Sequence, residues 1–127
     1  MTPEQCAALA RAKARLDRLD FYPRRVHIGA VRIHVVPRLF RLPWLRRFDG
    51  YALHGTILLR SPSPDDDLVT HELCHVWQMQ HRPVRMPLTY LVGGYEANRY
   101  EAEARAAVEA TRERAAGKVS DSTPCPR

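Results

Sequence analysis

The segment Asp67 to Gln80 constrains this chain more than any other. Its apolar residues, among them Leu68, Val69, Leu73, Val76 and Trp77, recur all round a helical wheel rather than along one stripe. A helix that is apolar on nearly every side belongs in the middle of a fold. Yet this one carries His71, Glu72 and His75, polar groups that need partners when buried. In a helix, residues i and i+4 lie about one turn apart on the same face. His71 and His75 can therefore offer two imidazole nitrogens to one metal ion, with Glu72 beside them to take a proton from water. The His-Glu-x-x-His pattern fixes only three positions. Its weight comes from the central helix around it and from whether the chain supplies a third ligand.

The rest of the chain predicts an α+β domain around that helix. Its 127 residues make one domain with one modest core. That domain is expected over 1–117, leaving 118–127 as a disordered tail of small polar residues with Pro124 and Pro126. Thr2-Pro3-Glu4-Gln5 is a helix start, with a Thr cap and Pro at the first helical position. Leu9, Leu16 and Leu19 carry an apolar stripe through about Asp20. Val26 to Val36 reads as strand, since Val31, Ile33 and Val35 alternate with Arg32 and His34. Leu39 to Phe48 is irregular, mixing arginines with Phe40, Trp44 and Phe48. Such a mix occurs in loops that touch membrane interfaces, and more often where aromatics anchor a loop on the core. Asp49-Gly50 is a turn signal. Tyr51 to Arg60 is a second extended region, with a kink or bulge at Gly55 and strand over Thr56 to Leu59. The whole predicts an N-terminal helix, a small twisted sheet of about three strands, the histidine-bearing helix, and a last helix from Tyr95 to about Ala116 capped by Gly117. Leu88 to Gly94 links those last two helices.

Charge and cysteines narrow the setting. Twenty Lys+Arg against fourteen Asp+Glu give a net charge of +6. That balance suits an anionic partner, nucleic acid included, and equally a solvated arginine-rich surface. No apolar run approaches the roughly 20 residues that span a bilayer. Arg11, Lys13, Arg15 and Arg18 occupy the region where a signal peptide needs an apolar core. The three cysteines, Cys6, Cys74 and Cys125, are an odd, widely spaced set that argues for a reducing compartment. The expectation is a cytoplasmic protein, with non-classical export left open, and Cys74 a small buried thiol.

A catalytic zinc site takes three protein ligands and keeps one position open. Two sources compete for the third. His81 would complete His-Glu-x-x-His-x-x-Gln-x-x-His, which departs from the metzincin pattern where Gln78 replaces a helix-stopping glycine. With Gln78 continuing the helix, His81 lies too far along the axis to swing back. The other source is the last helix, which offers Glu96, Glu101 and Glu103. Glu101, flanked by Ala97, Tyr100, Ala104 and Val108 on neighbouring faces, is the glutamate best placed for burial.

Thr-His-Glu-Leu-x-His-Val-Trp-Gln followed by Asn-x-Tyr-Glu-x-Glu-Ala resembles the gluzincin clan of zinc metallopeptidases. It is most similar to the minimal single-domain members and the short bacterial zincin-like domains found near secretion or phage-tail-like systems. The resemblance covers about Tyr51 to Ala107. It implies a zincin-like fold, Zn2+ held by His71, His75 and Glu101, and Glu72 as the proton-transferring base. It also implies a peptide or protein substrate lying along an edge strand within Gly50 to Leu59. Two positions depart from the pattern. Arg99 stands where proline is usual, and Arg105 where many relatives have an aspartate that orients a histidine ligand. Tyr95, Tyr100, Tyr90 and His54 are candidates for stabilising the oxyanion. Two other functions fit the same residues: a non-catalytic zinc-binding module of a secretion or phage-tail-like assembly, and a nucleic-acid-associated protease.

Overall fold

The computed structural model describes residues 1–86, 88 and 95–115, the last helix by its backbone alone at 95–98 and 113–115. The link and tail expectations at 89–94 and 116–127 lie outside the described residues. The fold is α+β. Three helices, α1 (Pro3–Leu16), α2 (Asp66–His81) and α3 (Tyr95–Ala115), accompany a sheet of β1 (Arg32–Val35), β2 (Gly50–Leu53) and β3 (Thr56–Leu59). No described helix is long and apolar enough to cross a membrane.

Local chemistry accounts for the ends of the helices. Thr2 accepts from the Gln5 backbone while the Gln5 side chain bonds back to Thr2, and Pro3 fixes the first turn of α1. The helix ends at Leu16, short of the expected Asp20, because the next bonds are tighter ones, Arg18 N–H to Arg15 and Leu19 N–H to Leu16. Asp65 caps α2 through the Leu68 N–H at 2.7 Å. Val69, Leu73, Val76 and Trp77 are each at most 1 % exposed, so α2 is the central helix its composition predicts. It packs against α1, α3 and β2.

The sheet is mixed, in the order β1-β3-β2. β1 runs parallel to β3 with Ile33 opposite Ile57, and β2 runs antiparallel to β3 with Gly50 opposite Leu59. Only Arg32–Val35 of the expected Val26 to Val36 strand pairs. Val26 and Ile28 are buried, but between them the Gln80 amide clasps the His27 backbone, accepting its N–H at 2.9 Å and donating to its carbonyl at 2.7 Å. A side chain takes the place of a neighbouring strand there.

The Asp49-Gly50 turn is a misreading. Gly50 opens β2, and the chain reverses instead at His54-Gly55, where His54 adopts a left-handed φ of 51°. Gly55 belongs to this turn rather than to a bulge. In the irregular segment, Phe40 and Leu45 anchor on the core while Trp44 stays 64 % exposed. Arg60 fastens the segment by donating to the carbonyls of Arg46 and Phe48. Cys74 is a free, fully buried thiol, as expected, whereas Cys6 is disulfide-bonded, a pairing that the cysteine count did not suggest.

Candidate metal centre

α2 and α3 bring three ligand atoms to one point. His71 Nε2 lies 3.1 Å from His75 Nε2 and 3.1 Å from Glu101 Oε1, and His75 Nε2 lies 2.7 Å from Glu101 Oε2. All the ligand atoms of this trio fall within 4.8 Å of one another. The helical i,i+4 spacing aligns the two imidazoles, and small Ala104 and Ala107, both fully buried, let α3 approach closely enough for Glu101 to reach them. Two ring nitrogens and a carboxylate that face one point can all serve as Lewis bases, and a ring nitrogen that keeps its proton donates to the carboxylate. Such a set needs a cation or a shared proton at its centre. The group can hold a metal ion, and its composition suits a three-ligand site with an open position.

The electrostatics express the same demand. Burial works to lower the His75 pKa, but the bond to Glu101 and the charges of Glu72 and Glu101 overcome it and raise it. Glu72, 5 % exposed, is pushed above the usual carboxylate range by burial, with His75 and His71 opposing and Glu101 adding to the rise. Its side chain passes over β2 at Gly50. A Cβ on that glycine would sit 3.1 Å from Glu72 Cγ and 3.3 Å from its carboxyl carbon. Gly50 is thus a close-approach glycine, which is what the turn reading missed.

The site opens onto a cleft of about 890 Å³. One wall is the edge strand, since Gly50, Tyr51, Ala52 and Leu53 all line it. Trp44, Phe48 and Met86 line it as well, as do Arg105 and Arg112 of α3.

His81 lies outside this cluster. It ends α2, donates through Nδ1 to the Trp77 carbonyl, and stacks on Tyr22 with ring centroids 4.8 Å apart. Tyr100 does not line the cleft either; its carbonyl accepts from Gln78 at 2.9 Å. His54 sits on the exposed hairpin turn, away from the cleft lining. The side chain of Tyr95 and all of Tyr90 lie outside the described residues, as does the side chain of Glu96. Of the glutamates on α3, Glu103 accepts from the Tyr22 hydroxyl at 2.5 Å and from Gln78 at 3.1 Å. Gln78 itself, fully buried, also meets His75 Nδ1 at 2.8 Å. Sequence reasoning treated Gln78 only as a residue that prolongs the helix. The signal available was its position, three residues past His75 on the same helix face.

Comparison of the chain with protein-family models, with curated proteins and with solved structures found no match.

Proposed function

We propose that this chain is a zinc-dependent hydrolase of the metallopeptidase type, built as a minimal zincin-like domain of the gluzincin kind. One observation carries the reading: the His71, His75 and Glu101 ligand atoms converge while a buried glutamate, Glu72, sits beside them in the same cleft. His71, His75 and Glu101 would hold the ion. When bound, zinc supplies Lewis-acid polarisation and lowers the pKa of a coordinated water towards neutrality.

The residues of the chain do the rest. Glu72 accepts a proton from the attacking water as its oxygen bonds to the scissile carbonyl carbon, then passes that proton to the nitrogen as the C–N bond breaks. Burial raises its carboxyl pKa, which brings the group closer to neutral operation in both directions. The edge strand β2 would offer the side that faces away from β3 to an extended peptide, which would lie along the cleft wall. An open site also favours catalysis over a closed structural one. A structural zinc usually takes four protein ligands, and among the described residues the cluster has three.

Metal analysis of purified wild type, Glu101→Ala and His81→Ala, with peptide-library cleavage in parallel, tests the reading. Zinc retained by wild type and His81→Ala but lost from Glu101→Ala, together with cleavage by wild type, is the expected result. Zinc retained by Glu101→Ala, or no hydrolysis by a zinc-loaded wild type on any peptide, would overturn it.

A further inference from the structure

We infer that Gln78 is the positioning residue of the metal centre: it holds the proton of neutral His75 on Nδ1 and so makes Nε2 the ring's metal-binding atom, at the point it shares with Glu101 and His71. The inference rests on the proposed metal site for its purpose, but not for its chemistry, which follows from counting protons. A carboxamide has one acceptor oxygen and two N–H donors. The Tyr100 carbonyl can only accept, so the amide nitrogen of Gln78 must be the atom facing it at 2.9 Å. The second N–H then meets Glu103 Oε1 at 3.1 Å. That leaves Gln78 Oε1, an acceptor, 2.8 Å from His75 Nδ1, which must therefore donate. In the neutral ring that is the one N–H, which leaves Nε2 with its lone pair; in the imidazolium Nε2 is protonated as well and donates to Glu101 Oε2 at 2.7 Å.

The amide cannot flip. Turned over, its oxygen would face both the Tyr100 carbonyl and the Glu103 carboxylate. Glu103 is held in turn by the Tyr22 hydroxyl at 2.5 Å, so the chain of bonds runs from α2 through α3 to the segment after α1. Each of its hydrogen bonds has a defined donor and acceptor, and Gln78 itself is sealed from solvent. The aspartate that the gluzincin pattern would place at Arg105 is thus replaced in function, for His75, by a glutamine on the ligand helix itself.

The test uses the full chain with metal removed. Two-bond 1H–15N spectra of the histidines, recorded above the pH at which the site imidazoles lose their charge, report the tautomer of His75 directly. Wild type is expected to show Nδ1–H. Gln78→Leu is expected to release the ring to the Nε2–H form, and Gln78→Glu, which keeps an acceptor, to retain Nδ1–H. In chelator competition with zinc alone, Gln78→Leu should bind roughly 10–100-fold more weakly than wild type. A wild-type His75 in the Nε2–H form overturns the inference without needing any variant to fold. So does a folded Gln78→Leu whose tautomer and zinc affinity match wild type. If wild type and Gln78→Leu differ in tautomer as expected and neither binds zinc, the positioning role stands and the hydrolase reading falls.

Discussion

Two polar clusters join α2 to α3 about one helical turn apart, and they are built on opposite principles. At the start of α2, Asp67 accepts from Arg15 at 2.9 Å and from Arg112 at 2.8 Å, while Arg15 also donates to Thr111 at 2.9 Å and to the Val108 carbonyl at 3.0 Å. Cation meets anion and donor meets acceptor, so this junction of all three helices is complete in protein atoms alone. One turn on, His71, His75 and Glu101 bring three potential Lewis bases to one point, where a ring proton or a cation can join them. Burial and helix spacing are shared by the two; the first cluster has fixed cations for its anion, whereas the second depends on a proton or an ion that can be exchanged.

The hardest test of that contrast is Glu72→Gln. It leaves the ligand trio and the Asp67 junction untouched and removes only the proton carrier. Peptide cleavage should fall about 10²- to 10⁴-fold. Zinc content of the same preparation should stay at the wild-type level. Undiminished cleavage would remove Glu72 from the reaction.

Next in size is the stability that the ion itself confers. With free zinc at about 1,000 times its dissociation constant, wild type should gain about 4 kcal/mol against unfolding. His71→Ala should gain none in denaturant titrations at the same zinc concentration, whereas Asp67→Asn should keep the full gain. The pH dependence has a defined sign. His75 has a folded pKa above its ordinary 6.5, so zinc must displace a proton from it at and below neutrality. Affinity should therefore climb as pH rises through that folded pKa and level off beyond it, as chelator competition would record. A flat profile would mean that the imidazoles are not ligands.

The complementary cluster answers to the reverse treatment. Asp67→Asn should cost about 1–2 kcal/mol, less than a fully buried pair because the Asp67 side chain is 37 % exposed, but more than a surface pair because Arg15 is 5 % exposed. Burial alone would raise the Asp67 pKa, but hydrogen bonds from Arg15 and Arg112 outweigh it and hold the carboxyl below its ordinary 3.8. A depressed folded pKa stabilises above the unfolded value and loses that contribution as pH falls through the folded one. The difference between wild type and Asp67→Asn should accordingly shrink in urea titrations run below about pH 4. Zinc affinity should not change.

How much of each cluster could be read in advance follows from the same distinction. The ligand helix, its histidines and Glu101 were legible because helical spacing and an all-round apolar surface are properties of contiguous sequence. So was the capped start of α1, and so was the alternation that buries Val31 and Ile33. The Arg15 junction was not. In the sequence Arg15 is one of several cations in an N-terminal helix, and only the packing of three helices makes it a buried hub. Gln78 was misjudged for a related reason: its effect on the backbone is local, but its hydrogen bonds reach residues more than twenty positions away. The strand expected from Val26 stopped short because pairing depends on a neighbour, and Gln80 supplied the backbone partner instead.

Gly50 tests whether the two walls of the cleft are fitted to each other, and the effect expected is the smallest. After aspartate, a glycine reads as a turn because turns need its conformational freedom. Here no unusual φ is involved, and the missing Cβ is what matters. In Gly50→Ala the new methyl would meet Glu72 Cγ at 3.1 Å and Leu59 Cδ2 at 3.2 Å. Leu59 is fully buried and has little room to yield, so the strain should be relieved by displacing Glu72, at about 1 kcal/mol of stability. Because the ligands stand on helices rather than on β2, zinc affinity should be unchanged while cleavage falls. Were Gly50→Ala instead to lower zinc affinity and leave cleavage per bound zinc intact, the strand would be supporting the ligands, and Glu72 would not be the group that the glycine accommodates.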